Sequence, residues 1–224
     1  MDRLSRVALV ALLCAVPRSA SAGVIRGTLH VPAHPALAAV SMDAYPGHAN
    51  AMPGMSTPAR GLVGDAIVYV DRVPAPAESA LAALATTMPR LAQRDQAFAP
   101  RVLPIAVGTR VDFPNMDPVY HNVFSFSPAR RFDLGKYPRG SSRQIVFEKP
   151  GLVKVYCDIH SSMEAFVLVL PHHAFTQPSP SGDFALPELP AGRYVLHAWQ
   201  PDLGDVNMTV DVPRTGDVTA SLSF

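Results

Sequence analysis

The 23 prolines of this chain are spread along its length rather than gathered in one segment, and that spacing limits the fold more than any other feature. Proline inside a helix removes a hydrogen bond and clashes with the turn before it. A chain interrupted this often suits short strands joined by turns, and the 14 glycines are scattered in the same way. With 224 residues and a 48% hydrophobic content, there is material for one or two ordinary cores. Two modest domains are expected, and the expected fold class is all-β.

The strands can be read individually. Val102–Val107 is one, Gly108-Thr109 turns, and Arg110–Phe113 starts another. Asn122–Phe126 and Ser142–Phe147 follow. After Pro150-Gly151, the run Leu152–Cys157 puts Val153, Val155 and Cys157 on one face by the two-residue strand period. Cys157 is thereby aimed inward at a strand end. Ala165–Leu170 closes this set before Pro171. Gly23–Val31 and Gly64–Val70 are strand candidates near the start, and Glu78–Thr86 reads as a short helix rich in Ala and Leu.

The first residues have the layout of a secretory signal. Arg3 and Arg6 precede the apolar run Val7–Val16, and Ala20-Ser21-Ala22 stands before Gly23. That run is too short to span a bilayer, and no transmembrane segment is expected after signal removal, so the mature protein is expected in the periplasm. Removing residues 1–22 takes away Arg3, Arg6, Arg18 and Asp2, leaving 16 basic against 17 acidic residues in place of 19 against 18. A nearly neutral protein gives no electrostatic case for nucleic acid as a partner.

Cleavage would also leave Cys157 as the lone cysteine. In an oxidising compartment a lone thiol calls for a mixed disulfide, burial or a metal. Its neighbours point to the metal. Cys157-Asp158-Ile159-His160-Ser161-Ser162-Met163 is a C-x-x-H-x-x-M string, and His121 lies upstream just before the Asn122–Phe126 strand. A thiolate, two imidazoles and a thioether suit copper cycling between its two oxidation states, since soft sulfur favours Cu(I) and imidazole serves both. Zinc wants a fourth strong ligand, which a thioether is not.

With the Phe113-Pro114-Asn115 and His121-Asn122-Val123 segments, residues 88–171 resemble a cupredoxin, a blue copper protein of the amicyanin and plastocyanin kind. That resemblance implies a Greek-key sandwich, with His121, Cys157 and His160 as equatorial copper ligands and Met163 as the axial one. It also implies that the Asn122 backbone N–H tunes the cysteine sulfur. Residues 172–224 carry Gly182, Phe184, Leu186, Leu189, Pro190, Gly192, Tyr194 and Leu196 in the spacing of a carboxypeptidase regulatory-like sequence. That similarity implies a second, small transthyretin-like β-sandwich, to which residues 23–87 could contribute strands. The whole layout is similar to exported bacterial proteins of the methylamine-utilisation type. Tyr156 and Asp158 flank Cys157 where multicopper oxidases have histidines, and a dinuclear purple site would need a second cysteine.

A single-electron carrier, and no enzyme, is therefore the leading expectation, its partner an unidentified exported redox protein. A copper trafficking or tolerance protein serving a copper donor or acceptor, and a copper-stabilised binding module, are the alternatives. Met42, His48, Met52 and Met55 form a looser set of potential copper contacts in a Pro-containing loop. Arg130, Arg131 and Lys136 read as a docking patch for an acidic partner or as a solvated turn. His172-His173 reads as a solvated linker, and Met88 and Gln93 as cover for a sandwich edge.

Overall fold

The computed structural model describes residues 22–32 and 63–224. The signal reading, apart from Ala22, and the Met42, His48, Met52 and Met55 set lie outside the described residues. The chain enters as β1 (Ala22–Gly23) and β2 (Ile25–His30), then β3 (Ile67–Val70) and helix α1 (Ala75–Leu84). Next come β4 (Ala92–Arg94), β5 (Ala97–Ala99), β6 (Val102–Ala106), β7 (Arg110–Pro114), β8 (His121–Ser125) and β9 (Phe132–Tyr137). They are followed by β10 (Ser142–Val146), β11 (Gly151–Tyr156) and β12 (Glu164–Leu170). The last part holds β13 (Phe175–Thr176), β14 (Asp183–Ala185), β15 (Leu189–Pro190), β16 (Gly192–Gln200), β17 (Gly204–Val212) and β18 (Val218–Ser223). Among the described residues the protein is all-β apart from α1 and one short 3-10 turn. Proline suits the first turn of α1, where the missing N–H would have no partner.

Two sandwiches result. In the first, a sheet ordered β6-β12-β11-β8-β9 faces the β7·β10 pair. Val111, Phe113, Val123, Phe147, Val153, Val155, Val167 and Val169 fill the space between them. In the second, β13-β3-β16-β17 faces β14-β2-β18 around Ile25, Leu29, Val68, Val70, Leu196, Val210 and Leu222. Among the described residues, the ladders of β4–β12 pair only with one another, and those of β1–β3 pair only with β13–β18. β2 runs parallel to β18, and Gly27 lets them approach so closely that a Cβ there would collide with the Ala220 carbonyl.

The run Glu164–Leu170 is apolar on both faces because it serves two cores. Ala165, Val167 and Val169 enter the first sandwich, while Phe166, Leu168 and Leu170 join Ile67 and Val102, with Trp199 alongside, at the seam between the sandwiches. Arg101 sits on this seam. It reaches Asp65 at 2.8 Å, Asp202 at 3.2 Å and Glu164 at 3.6 Å, with its guanidinium over the Phe166 ring.

Several local expectations are corrected. Arg130 and Arg131 lie in the turn segment before Phe132–Tyr137, but Lys136 lies within that strand and pairs with Asp158 at 3.5 Å, while Arg130 is 3.6 Å from Glu148. Two of the three cations of that set are thus paired locally, and Arg131 is exposed. His172 is not a solvated linker residue. Its ring is buried, its Nε2 lies 3.0 Å from the Val70 carbonyl oxygen, and its Nδ1 accepts from the Ala174 N–H. His173 is held by Glu78 through both its backbone N–H and its ring. Gln93 is fully buried rather than covering an edge, and its amide donates to the Tyr137 hydroxyl at 2.6 Å.

Candidate metal centre

The site lies at one end of the first sandwich, where two loops meet. The first loop joins β7 to β8 and is folded by Asn115. Its amide donates to the carbonyls of Val119 and Tyr137, both at 2.9 Å, and its Oδ1 accepts the Asp117 N–H. The loop therefore closes on itself and delivers His121 into the core at the first position of β8. The second loop leaves β11 at Cys157 and returns at Met163, whose N–H donates to the His160 carbonyl at 3.0 Å. This tight turn brings Cys157, His160 and Met163 to the same end of the sheet.

The ligand atoms of His121, Cys157 and His160 all lie within 4.8 Å of one another. His121 Nδ1 is 3.1 Å from His160 Nδ1 and 3.9 Å from Cys157 Sγ. Metal–nitrogen and metal–sulfur bonds of about 2.0 and 2.3 Å, spread in a trigonal plane, place their donor atoms roughly 3.5–3.7 Å apart. The spacing thus fits one small ion between the three. Met163, 1% exposed, belongs to the same apolar cluster as Cys157. A thiolate and two imidazoles beside a buried thioether is a soft-and-borderline donor set, which fits copper better than a hard cation.

Hydrogen bonding prepares these donors. His121 is fully buried, and its Nε2 lies 2.8 Å from the Asp117 carboxylate. An ionised carboxylate can only accept, so Nε2 carries the proton and Nδ1 keeps its lone pair facing the cluster. Burial works against the charge of Asp117, but hydrogen bonds from Gln96, His121 and Asp95 outweigh it and hold the carboxyl below its usual range. Burial, then the nearby His121, pushes His160 below the usual histidine range, favouring the neutral ring that a metal needs. At 3.1 Å the two Nδ1 atoms are close enough to share either a proton or a metal ion.

Asn122 is buried, and its amide donates to Asp133 at 2.7 Å, while its Oδ1 has no partner among the described residues. Tyr137, opposite His121 in the β8·β9 register, donates to the Phe113 carbonyl at 2.8 Å. Burial pushes its phenol well up, so it stays neutral beside the site. Asp117 escaped the sequence reading. The available signal was a carboxylate four residues before a candidate ligand histidine, and that spacing becomes meaningful only once Asn115 folds the loop.

His160 is half-buried, and the two loops present four exposed apolar side chains alongside the exposed Asp158, Ser161 and Ser162. Ile159, Met116, Val119 and Tyr120 are all exposed. Taken together, the fold and the site describe an all-β protein with a sulfur-and-imidazole cluster able to hold a metal ion.

No protein-family model matches this chain, and no curated protein matches it. Parts of several solved structures are similar. A copper-containing nitrite reductase from Thermus scotoductus is 27% identical over 38% of this chain and 22% of its own, with a TM-score of 0.36. This chain therefore spans less than a quarter of that enzyme's length. A purple cupredoxin from Nitrosopumilus maritimus is 26% identical over 37% of this chain and 99% of its own, with a TM-score of 0.34. A reduced amicyanin variant is 18% identical over 46% of this chain and 98% of its own, with a TM-score of 0.36. Among the described residues, no helix is long and apolar enough to cross a membrane.

Proposed function

We propose that this chain is an exported, mononuclear type 1 copper protein that passes single electrons. The carrying observation is the convergence of His121 Nδ1, His160 Nδ1 and Cys157 Sγ within 4.8 Å at the buried end of a β-sandwich. Copper held there would supply a one-electron couple whose absorption arises from the thiolate bond. The chain's own residues do the rest. Asp117 and the surrounding sandwich hold His121 still, which keeps reorganisation small as charge changes. Met163, buried in the same apolar cluster as Cys157, would lend its thioether to the ion as a further, weak donor. The half-buried His160 ring is the exit for the electron, and the neutral, apolar rim of Ile159, Met116, Val119 and Tyr120 can press against a partner at little desolvation cost. Among the described residues one such cluster is present, an arrangement that suits the carriage of single electrons.

The test is spectroscopic. The purified full chain, loaded with copper and oxidised, is expected to show an intense charge-transfer band in the orange-red, and Cys157→Ser is expected to lose it while remaining folded. A wild-type protein that binds copper stoichiometrically yet stays colourless after oxidation overturns the type 1 assignment.

A further inference from the structure

The feature that copper ligation alone does not explain is the carboxylate behind His121. Asp117 is 5% exposed, and a charge is expensive there unless it is fully hydrogen-bonded. It is bonded on two sides. One oxygen takes the Asp95 N–H at 2.6 Å and the other the Gln96 N–H at 2.9 Å, while His121 Nε2 approaches the latter at 2.8 Å. The two amides come from the turn between β4 and β5, where Asp95 and Gln96 both have positive φ, at 54° and 56°. Two successive left-handed residues give the mirror-image turn that suits a two-residue hairpin, a conformation costly for side chains other than glycine. In this turn both N–H groups point at one carboxylate, and the hairpin, itself bridged to β7 by Gln93 and Asn115, becomes a mount for Asp117.

We propose that Asp117 is the positioning residue of the metal centre: a buried carboxylate, anchored by the β4–β5 turn, that fixes His121 in the Nε2–H tautomer and biases the site towards the more highly charged ion. Outer-shell carboxylates on ligand histidines orient the ring and raise its basicity. A fixed negative charge behind the ring stabilises Cu(II) more than Cu(I), because it interacts with one additional unit of charge. The bare cluster of two imidazoles and a thiolate would lack this bias. The inference rests on the copper reading for its redox part and on geometry alone for its tautomer part, so the two can fail separately.

Two measurements on the full chain test it. In the metal-free protein, nitrogen NMR of the neutral His121 ring is expected to show the proton on Nε2; a proton on Nδ1 overturns the positioning role whether or not copper binds. In the copper-loaded protein, Asp117→Asn keeps an oxygen acceptor and removes the charge. The ratio of Cu(II) to Cu(I) affinity is expected to fall about tenfold, equivalent to a rise of about 59 mV in reduction potential. An unaltered affinity ratio in a folded Asp117→Asn protein that still binds copper refutes the electrostatic bias while leaving the copper reading intact. A wild-type protein that binds no copper refutes both, with the tautomer result still deciding the role of Asp117 as an anchor.

Discussion

Arg101→Ala is expected to be among the most destabilising single changes away from the site. The side chain is 11% exposed and faces three carboxylates: Asp65, 16% exposed, at 2.8 Å, Asp202 at 3.2 Å and Glu164 at 3.6 Å. At an effective dielectric near 20, each charge pair has a gross attraction of about 4 kcal/mol, much of it offset by desolvating the guanidinium. Removal is worse than the pair's net value, because the carboxylates are left facing one another. Breaking a buried pair costs about 3–5 kcal/mol, and the partial exposure of these partners favours the lower end, about 3 kcal/mol. For a chain of this length that corresponds to a fall in Tm of roughly 6–12 °C. Differential scanning calorimetry in low and high salt measures it, and most of the deficit should persist in salt because the cluster is largely shielded. Arg101→Lys, which keeps charge but loses the planar fork, should fall between. An Arg101→Ala protein melting within about 2 °C of wild type would refute the claim that this cluster clamps the seam.

Met163 allows packing to be separated from ligation. Met163→Ala should cost about 2–5 kcal/mol in the metal-free protein because the side chain is buried, whereas Met163→Leu should cost less than about 1.5 kcal/mol and still alter the colour and Cu(I) retention of the loaded protein. Identical spectra for Met163→Leu and wild type would remove the thioether from the ligand set. Tyr69, stacked on His197, has its phenol pushed up to about 12 by burial and then by Asp205. Its folded-state value is raised, so its contribution to stability is complete below the ordinary value of 10.0 and is lost as pH climbs towards about 12. The difference in phenolate absorbance between wild type and Tyr69→Phe should titrate near the upper value, and a midpoint at the ordinary one would contradict the burial argument.

What the sequence disclosed followed from locality. Cys157, His160 and Met163 stand in one short loop after an alternating strand, so their convergence could be inferred from spacing, and His121 could be added from its place at the head of another strand. The strands themselves were legible because Val153 and Val155, or Leu196 and Ala198, alternate with outward residues. Asp117 was not legible, because its role depends on a loop folded by Asn115 and on amides contributed by Asp95 and Gln96 from another hairpin. β9 was misread for a related reason. The charge of Lys136 suggested a turn, yet it lies in a strand whose pairing with β8 shifts register between Asn122 and Phe124, where Gly135 adopts a φ of 66°. The His172-His173 pair was misread because polarity suggested solvent, whereas Val70 and Glu78 supply buried partners from far earlier in the chain.

The ladder between β2 and β18 sets a timetable for synthesis. β3 and β2 find their first ladder partners only in β13 and β14, and Ile25 completes its pairing only when Val218 has been made. The ladders of β4–β12 need no strand that comes later, so the half that carries the His121, Cys157 and His160 cluster can close while the ribosome is still at work. The earliest strands must meanwhile wait with open edges, which invite pairing with other chains, and long-range strand pairing is slow to form. The second sandwich is then the last part of the protein to become native. Loss of β18 would leave β2 with one neighbour, β14, and open its other edge.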